Sequence, residues 1–189
     1  MAGAQHIGEN YLQEALDKQA ELGDLDVTWH FIGPVQSNKT RTIADHFDWV
    51  HSVDRWKIAK RLSDQRKTAA TPLNVCIQVN VSDESTKSGV SLDELPELAA
   101  QINELPNLKL RGLMAIPSPD QSNEDLAADF ARMQQSLNEL NELDLALDTL
   151  SMGMSGDIEL AIAAGSTMVR VGTAIFGPRN YSKPDTDKK

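Results

Sequence analysis

The sequence predicts an α/β fold of the (β/α)8 TIM-barrel type with its first βα unit missing. Strand-like and helix-like apolar patterns alternate along the chain with short connections, which means repeated βαβ units and a parallel sheet. Seven strand-like runs are visible in 189 residues, where a closed barrel needs eight strands and about 250 residues. In one run Val75, Ile77, Val79 and Val81 share a face, while Cys76, Gln78 and Asn80 share the other. An aliphatic face against helices and a partly polar face toward a ligand-bearing interior suit a barrel. A doubly wound open sheet would alternate in the same way, but no Gly-x-Gly-x-x-Gly turn follows an early strand.

The first strand is expected near His6-Ile7, directly behind Met1-Ala2-Gly3, so the missing unit falls at the amino end. A helical pattern over residues 11–22 follows, then a strand at 28–32, a helix at 39–46, a strand at 49–53 and a helix at 56–66. The strand at 73–81 leads to a helix at 95–105, whose start is marked either by a capping box of Ser91 and Glu94 or, instead, by Pro96 in its first turn. After the strand at 108–116, Leu126, Phe130, Met133, Leu137 and Leu140 step by three and four, as one buried face of a helix does. A strand at 147–150, a helix at 158–164 and a strand at 167–171 complete the pattern. Residues 1–181 read as a single incomplete barrel domain and 182–189, SKPDTDKK, as a polar tail.

A net charge of −10 argues against a nucleic-acid partner, which would need clustered lysine and arginine. No apolar run is long enough to span a bilayer and no signal peptide is visible, so a cytoplasmic protein without a membrane partner is expected. Cys76 lies in a strand-like run and reads as a small buried side chain rather than a catalytic thiol. His6, His30, His46 and His51 lack the paired spacing of metal ligands, so no metal site is expected. The acidic helices read as solvated faces.

Function is concentrated in residues 148–177. Two short apolar runs end in small residues, the first in Ser151-Met152-Gly153-Met154-Ser155 and the second in Val169-Arg170-Val171-Gly172-Thr173. Small residues let backbone approach a ligand, and their N–H and O–H groups can point at phosphate oxygens. The loops after the last two strands of a parallel barrel are the usual phosphate site. Ser155, Gly172 and Thr173 are the phosphate candidates, with Ser151 and Met154 beside them; turn and capping chemistry is the competing explanation. Arg170 would reach the group attached to the phosphate, a hydrogen-bond-accepting ring, unless it forms a structural ion pair. His30, between Trp29 and Phe31, reads as a satisfied core histidine. Lys39 and Lys87 could stand on the rim but read as solvated lysines.

The motifs Gly8-Glu9-Asn10-Tyr11, Trp29-His30-Phe31-Ile32-Gly33, Gln36-Ser37-Asn38-Lys39 and Arg111-Gly112-Leu113-Met114-Ala115-Ile116-Pro117 stand in order before the two segments above. Together they resemble the YggS/PROSC family of pyridoxal-phosphate-binding proteins, with similarity from Ala2 to Tyr181. The resemblance implies a barrel like the alanine racemase amino-terminal domain, binding pyridoxal 5′-phosphate (PLP). It also implies a carrier and regulator of the intracellular vitamin B6 pool without catalysis, whose partners are PLP and PLP-dependent apoenzymes. On this basis Arg170 would donate to the pyridine nitrogen, Asn10 would bond the ring hydroxyl or imine unless it caps a helix, and Met114 would pack on the ring or fill the core.

Two departures from the family are visible. Its Schiff-base lysine, in an Ala-Val-Ser-Lys-Thr-like motif at the end of the first strand, is absent, so no catalytic residue is assigned and binding is expected to be weak and non-covalent. Gly156 stands where the family has aspartate, removing a helix-dipole interaction of roughly 0.3–1 kcal/mol. Two other readings stay open: a racemase-like PLP enzyme, and a truncated fragment without function. Seven units leave two strand edges exposed, so a chain extended by the missing unit is expected to be the more stable.

Overall fold

In a computed structural model, the structure describes residues 3–23, 25–67, 70–84, 88–118 and 120–177. Strands and helices alternate along the described residues: β1 (His6–Glu9), α1 (Leu12–Glu21), β2 (Thr28–Phe31), α2 (Thr40–His46), β3 (Trp49–Val53), α3 (Trp56–Gln65) and β4 (Leu73–Gln78). The series continues with α4 (Leu95–Asn103), β5 (Leu108–Met114), α5 (Asn123–Asn141), β6 (Thr149–Met154), α6 (Ile158–Ala163), β7 (Met168–Arg170) and α7 (Thr173–Phe176). All seven strands form one parallel sheet in chain order, β1-β2-β3-β4-β5-β6-β7.

The sheet is strongly curled. On a flat sheet β3 and β6, three strands apart, would be separated by roughly 14 Å. Here His51 Nδ1 on β3 lies 2.8 Å from Ser151 Oγ on β6. Only a barrel-like wall brings their inner faces together. Among the described residues β1 and β7 each pair with one neighbour and form the edges of this nearly closed wall.

The outer face carries the aliphatic core. Val50, Val75, Ile77, Leu113 and Leu150 are fully buried against helical residues such as Ile43, Ile58, Leu62 and Phe130. The stripe on α5 is buried at every expected position, Leu126, Phe130, Met133, Leu137 and Leu140. Ser122 starts that helix, its hydroxyl accepting the Asp125 N–H at 3.1 Å. The inner face holds a separate cluster of Trp49, Cys76 and Met114, with Met168 against it. Cys76 is fully buried, and burial pushes its thiol pKa up to about 12.

Several boundaries differ from the sequence expectation. The strand expected at 73–81 ends at Gln78, and Val79 continues as a single parallel bridge to Val90. The strand expected at 147–150 runs Thr149–Met154 instead. The Ser-Met-Gly-Met stretch is thus wall rather than loop, because β7 pairs with it as far as Met154. α7 has four residues, too few to show helical periodicity in sequence. Before α4 the Pro96 alternative holds: Pro96 lies in the first helical turn and the N-cap is Glu94. Ser91 bonds Glu94 in the preceding turn, accepting its N–H at 3.3 Å and donating to its carboxylate at 2.7 Å, without capping the helix. The tail at 182–189 lies outside the described residues.

Gly112 pairs with Thr149 where β5 meets β6, and a Cβ at Gly112 would overlap the Thr149 carbonyl. Gly112→Ala is expected to cost at least about 2 kcal/mol, because backbone rather than a side-chain tip must move. Urea denaturation of the variant checks this; an unchanged midpoint would mean that the two strands part freely.

Candidate functional site

β7 and β6 end side by side and place Arg170 against Ser151. One Arg170 terminal nitrogen donates to the Ser151 carbonyl oxygen at 2.7 Å and to Ser151 Oγ at 2.8 Å. The other donates to the carbonyl oxygen of Ala115, just beyond β5, at 2.8 Å. None of these acceptors is a carboxylate, so the structural ion pair weighed for Arg170 is not what holds it. Burial pushes its pKa down to about 10, and the negative charge of Asp157 acts against that shift. The group remains cationic at neutral pH. Its Nε–H and one terminal N–H have no acceptor among the described residues.

The two predicted phosphate segments also meet. Ala174 N–H, in the first turn of α7, donates to Ser155 Oγ at 3.3 Å. A Cβ built on Gly156 or Gly172 would meet nothing within 4 Å, so the space over both turns is open. Thr173 opens α7 and is exposed, as is Met154. Met154 N–H donates to the carboxylate of Asp157, the N-cap residue of α6. The carboxylate missing at Gly156 is therefore supplied one position later.

Asn10 and Met114 are placed differently. Asn10 follows edge strand β1, half-buried, and among the described residues it has no hydrogen bond to the Arg170 group. It does not cap α1, whose N-cap residue is Tyr11. A Cβ at Gly33 would overlap the Asn10 backbone, so Gly33 permits the close approach of the two loops. Met114 is fully buried in the inner cluster. Lys39 is exposed at the N-cap position of α2, and Lys87 lies outside the described residues.

Sequence reasoning missed a set of histidines. His6 Nδ1 lies 2.9 Å from His30 Nε2, and His30 Nδ1 lies 2.9 Å from His51 Nε2. His51 Nδ1 reaches Ser151 Oγ, linking the three rings to Arg170. Their nitrogens face one another in pairs and do not converge on a common point. Among the described residues no group of three or more His, Cys, Asp or Glu side chains could hold a metal ion. Burial first, and the neighbouring His6 second, lower the His30 pKa to about 4. Burial, then His30 and Arg170, lower that of His51 to about 3. Alternation along β2 and β3 places both histidines opposite Phe31 and Val50, which was the available signal.

At the amino ends of the strands Arg111 closes the interior. It forms a two-pronged pair with Asp148, Nε to Oδ1 at 2.9 Å and a terminal nitrogen to Oδ2 at 2.7 Å. Its other terminal nitrogen donates to Asn74 Oδ1 at 3.0 Å. The guanidinium lies 4.6 Å over Trp49, whose ring stacks on His30 at 5.4 Å. The hydrogen bonds from Arg111 hold the Asp148 carboxyl below its usual pKa.

A curled parallel βα wall, with a cation and open glycine turns at the carboxyl ends of its last two strands, defines a barrel-type ligand-binding protein. Residues 1–180 match the family model described as alanine racemase, N-terminal domain. The chain belongs to that family, in the branch whose curated members are named pyridoxal phosphate homeostasis protein. One such relative, from Pseudomonas aeruginosa, is 62% identical over 183 residues, covering 97% of this chain and 78% of the relative. Another, from Escherichia coli K12, is 56% identical over 185 residues, covering 96% of this chain and 79% of the relative. PipY of Synechococcus elongatus, solved with PLP bound, superposes with a TM-score of 0.86 at 41% identity, over 93% of this chain and 83% of PipY. No helix among the described residues is long and apolar enough to cross a membrane.

His30 and His51 generate a pH dependence. In the unfolded chain each titrates near its ordinary value of 6.5, but in the folded chain only near 4 and 3. Below about pH 6.5 the unfolded state therefore binds more protons, so stability falls as pH drops through this window and their contribution is flat above it. Urea midpoints at pH 7.5 and 5 should show the loss, and His51→Phe should make it shallower. Equal slopes for variant and parent would rule these rings out as its source.

Proposed function

We propose that this chain binds pyridoxal 5′-phosphate and serves to hold and regulate the cytoplasmic pool of that cofactor, with PLP-dependent apoenzymes as recipients and no catalysis of its own. The observation that carries this reading is the pair of Arg170 N–H donors without an acceptor among the described residues, on the strand that leads into the open turn at Gly172 and beside the one that leads to Gly156. Those residues fit a ligand with an anionic tail and a ring bearing an acceptor nitrogen. PipY, 41% identical, has a structure with PLP bound, and relatives at 62% and 56% identity carry the homeostasis name.

Each residue then has a role. Ser155, the backbone of Gly172 and Thr173 bind the phosphate, and open space over the glycines admits its oxygens. Ser151 fixes Arg170, which donates to the ring nitrogen and keeps it unprotonated. Asn10 approaches from β1, Met114 lies in the inner cluster, and Met154 stands at the turn. When bound, the cofactor supplies an aldehyde that condenses with amines and a ring that can withdraw electrons. A nitrogen facing a permanent cation weakens that withdrawal, which favours holding over turnover. The buried Cys76 thiol and the neutral histidines offer no strong nucleophile or acid there. In these residues, which we read as one domain over 1–181, binding rests on phosphate and ring contacts.

Titration with PLP, followed by absorbance, is expected to saturate at one site. Arg170→Gln and Ser155→Ala should each weaken binding about tenfold, as loss of a charge-assisted contact would. Unchanged affinity in both variants, or no saturable binding by the parent, would overturn the site. Borohydride reduction followed by peptide mapping should leave no lysine stoichiometrically labelled. Exchange of the alanine α-proton into heavy water at an enzymatic rate would instead establish a racemase-like catalyst.

A further inference from the structure

The histidine line has a direction. His6, His30, His51, Ser151 and Arg170 are joined end to end by hydrogen bonds of 2.8 to 2.9 Å. A neutral imidazole has one N–H and one lone pair, so the protons can run along this line in only two senses. In the first, every ring carries its proton on Nδ1 and His51 donates to Ser151. Ser151 Oγ would then accept from both His51 and Arg170, and its own proton would need a further acceptor. Ser151 is fully buried, and among the described residues no such acceptor exists.

In the second sense every group is matched. Ser151 accepts from Arg170 and donates to His51 Nδ1. The His51 Nε2–H donates to His30 Nδ1, and the His30 Nε2–H donates to His6 Nδ1. His6 is exposed, so its outer N–H can meet water. The guanidinium reinforces this order, because a cation on the Oγ lone pair strengthens the hydroxyl as a donor.

We propose that His51 is a positioning residue for Arg170, acting through the Ser151 hydroxyl, and that His30 and His51 are held as Nε2–H tautomers. His51 takes the serine proton and so keeps an Oγ lone pair turned toward the guanidinium. That bond is one of three that set the direction of the two spare Arg170 donors. Without it the hydroxyl is free to turn and the guanidinium loses one of its holds. The significance for PLP rests on the binding reading above; the tautomer order does not.

The free chain, labelled with 15N in its histidine rings and arginine side chains, tests the proposal near pH 7.5. Long-range 1H–15N correlation should show protonated Nε2 and bare Nδ1 at His30 and His51. A proton on Nδ1 of His51 overturns the proposal, whatever PLP does. His51→Asn keeps an amide oxygen to accept from Ser151, whereas His51→Phe removes the acceptor. The Arg170 Nε–H should exchange faster with water in H51F than in H51N, and PLP affinity should drop about tenfold in H51F and markedly less in H51N. Identical Arg170 exchange in both variants overturns the positioning role. If H51F does not fold, the wild-type tautomers decide. If the parent binds no PLP, the binding reading falls, while tautomers and Arg170 exchange still judge this one.

Discussion

The upper interior of this barrel is organised by the need to hold one half-buried guanidinium with no carboxylate bonded to it. Taking a guanidinium from water is costly unless its donors are met. Arg170 meets that demand for three of its N–H groups, with two carbonyl oxygens and a hydroxyl from Ser151 within β6 and Ala115 just beyond β5. The arrangement requires β5, β6 and β7 to end together at one rim. It also leaves a full positive charge and two N–H groups that meet no acceptor among the described residues. A carboxylate partner would have neutralised the charge and closed the site.

The rest of the inner face follows from the same economy of polar groups. Interior residues of a curled parallel sheet cannot all be aliphatic when a ligand must sit at one end. Here polar groups are arranged in layers along the axis. Arg111, Asp148 and Asn74 close the amino ends, Trp49 lies against the Arg111 guanidinium, His30 stacks on Trp49, and His51 leads from His30 to Ser151 and Arg170. Neutral imidazoles suit this place because each donates once and accepts once. Depressed pKa values keep His30 and His51 uncharged beside the cation.

Much of this was legible in the residues. Alternation over β4 separated Val75 and Ile77, which face helices, from Cys76, which lies in the inner cluster. The three-and-four spacing on α5 named its buried stripe. The two small-residue segments were recognisable as neighbours because consecutive parallel strands end at the same rim, and the Ser155 to Ala174 contact joins them. The length of β6 was misread because Ser151 and Gly153 resemble a turn, while pairing with β7 from Ser151 to Met154 holds them in the wall. The histidine line was invisible because its members are separated by 24, 21 and 100 residues.

Local periodicity and the order of small residues thus determined the element sequence from β1 to β7, the parallel wall and the rim where chemistry gathers, since these depend on neighbours a few positions apart. Only the curl of the sheet decided that β3 faces β6, that Arg170 is held by oxygens rather than by an acid, and that three distant imidazoles share one line. Closure of a wall is a cooperative, long-range property, and no window of sequence contains both ends of the contacts it creates.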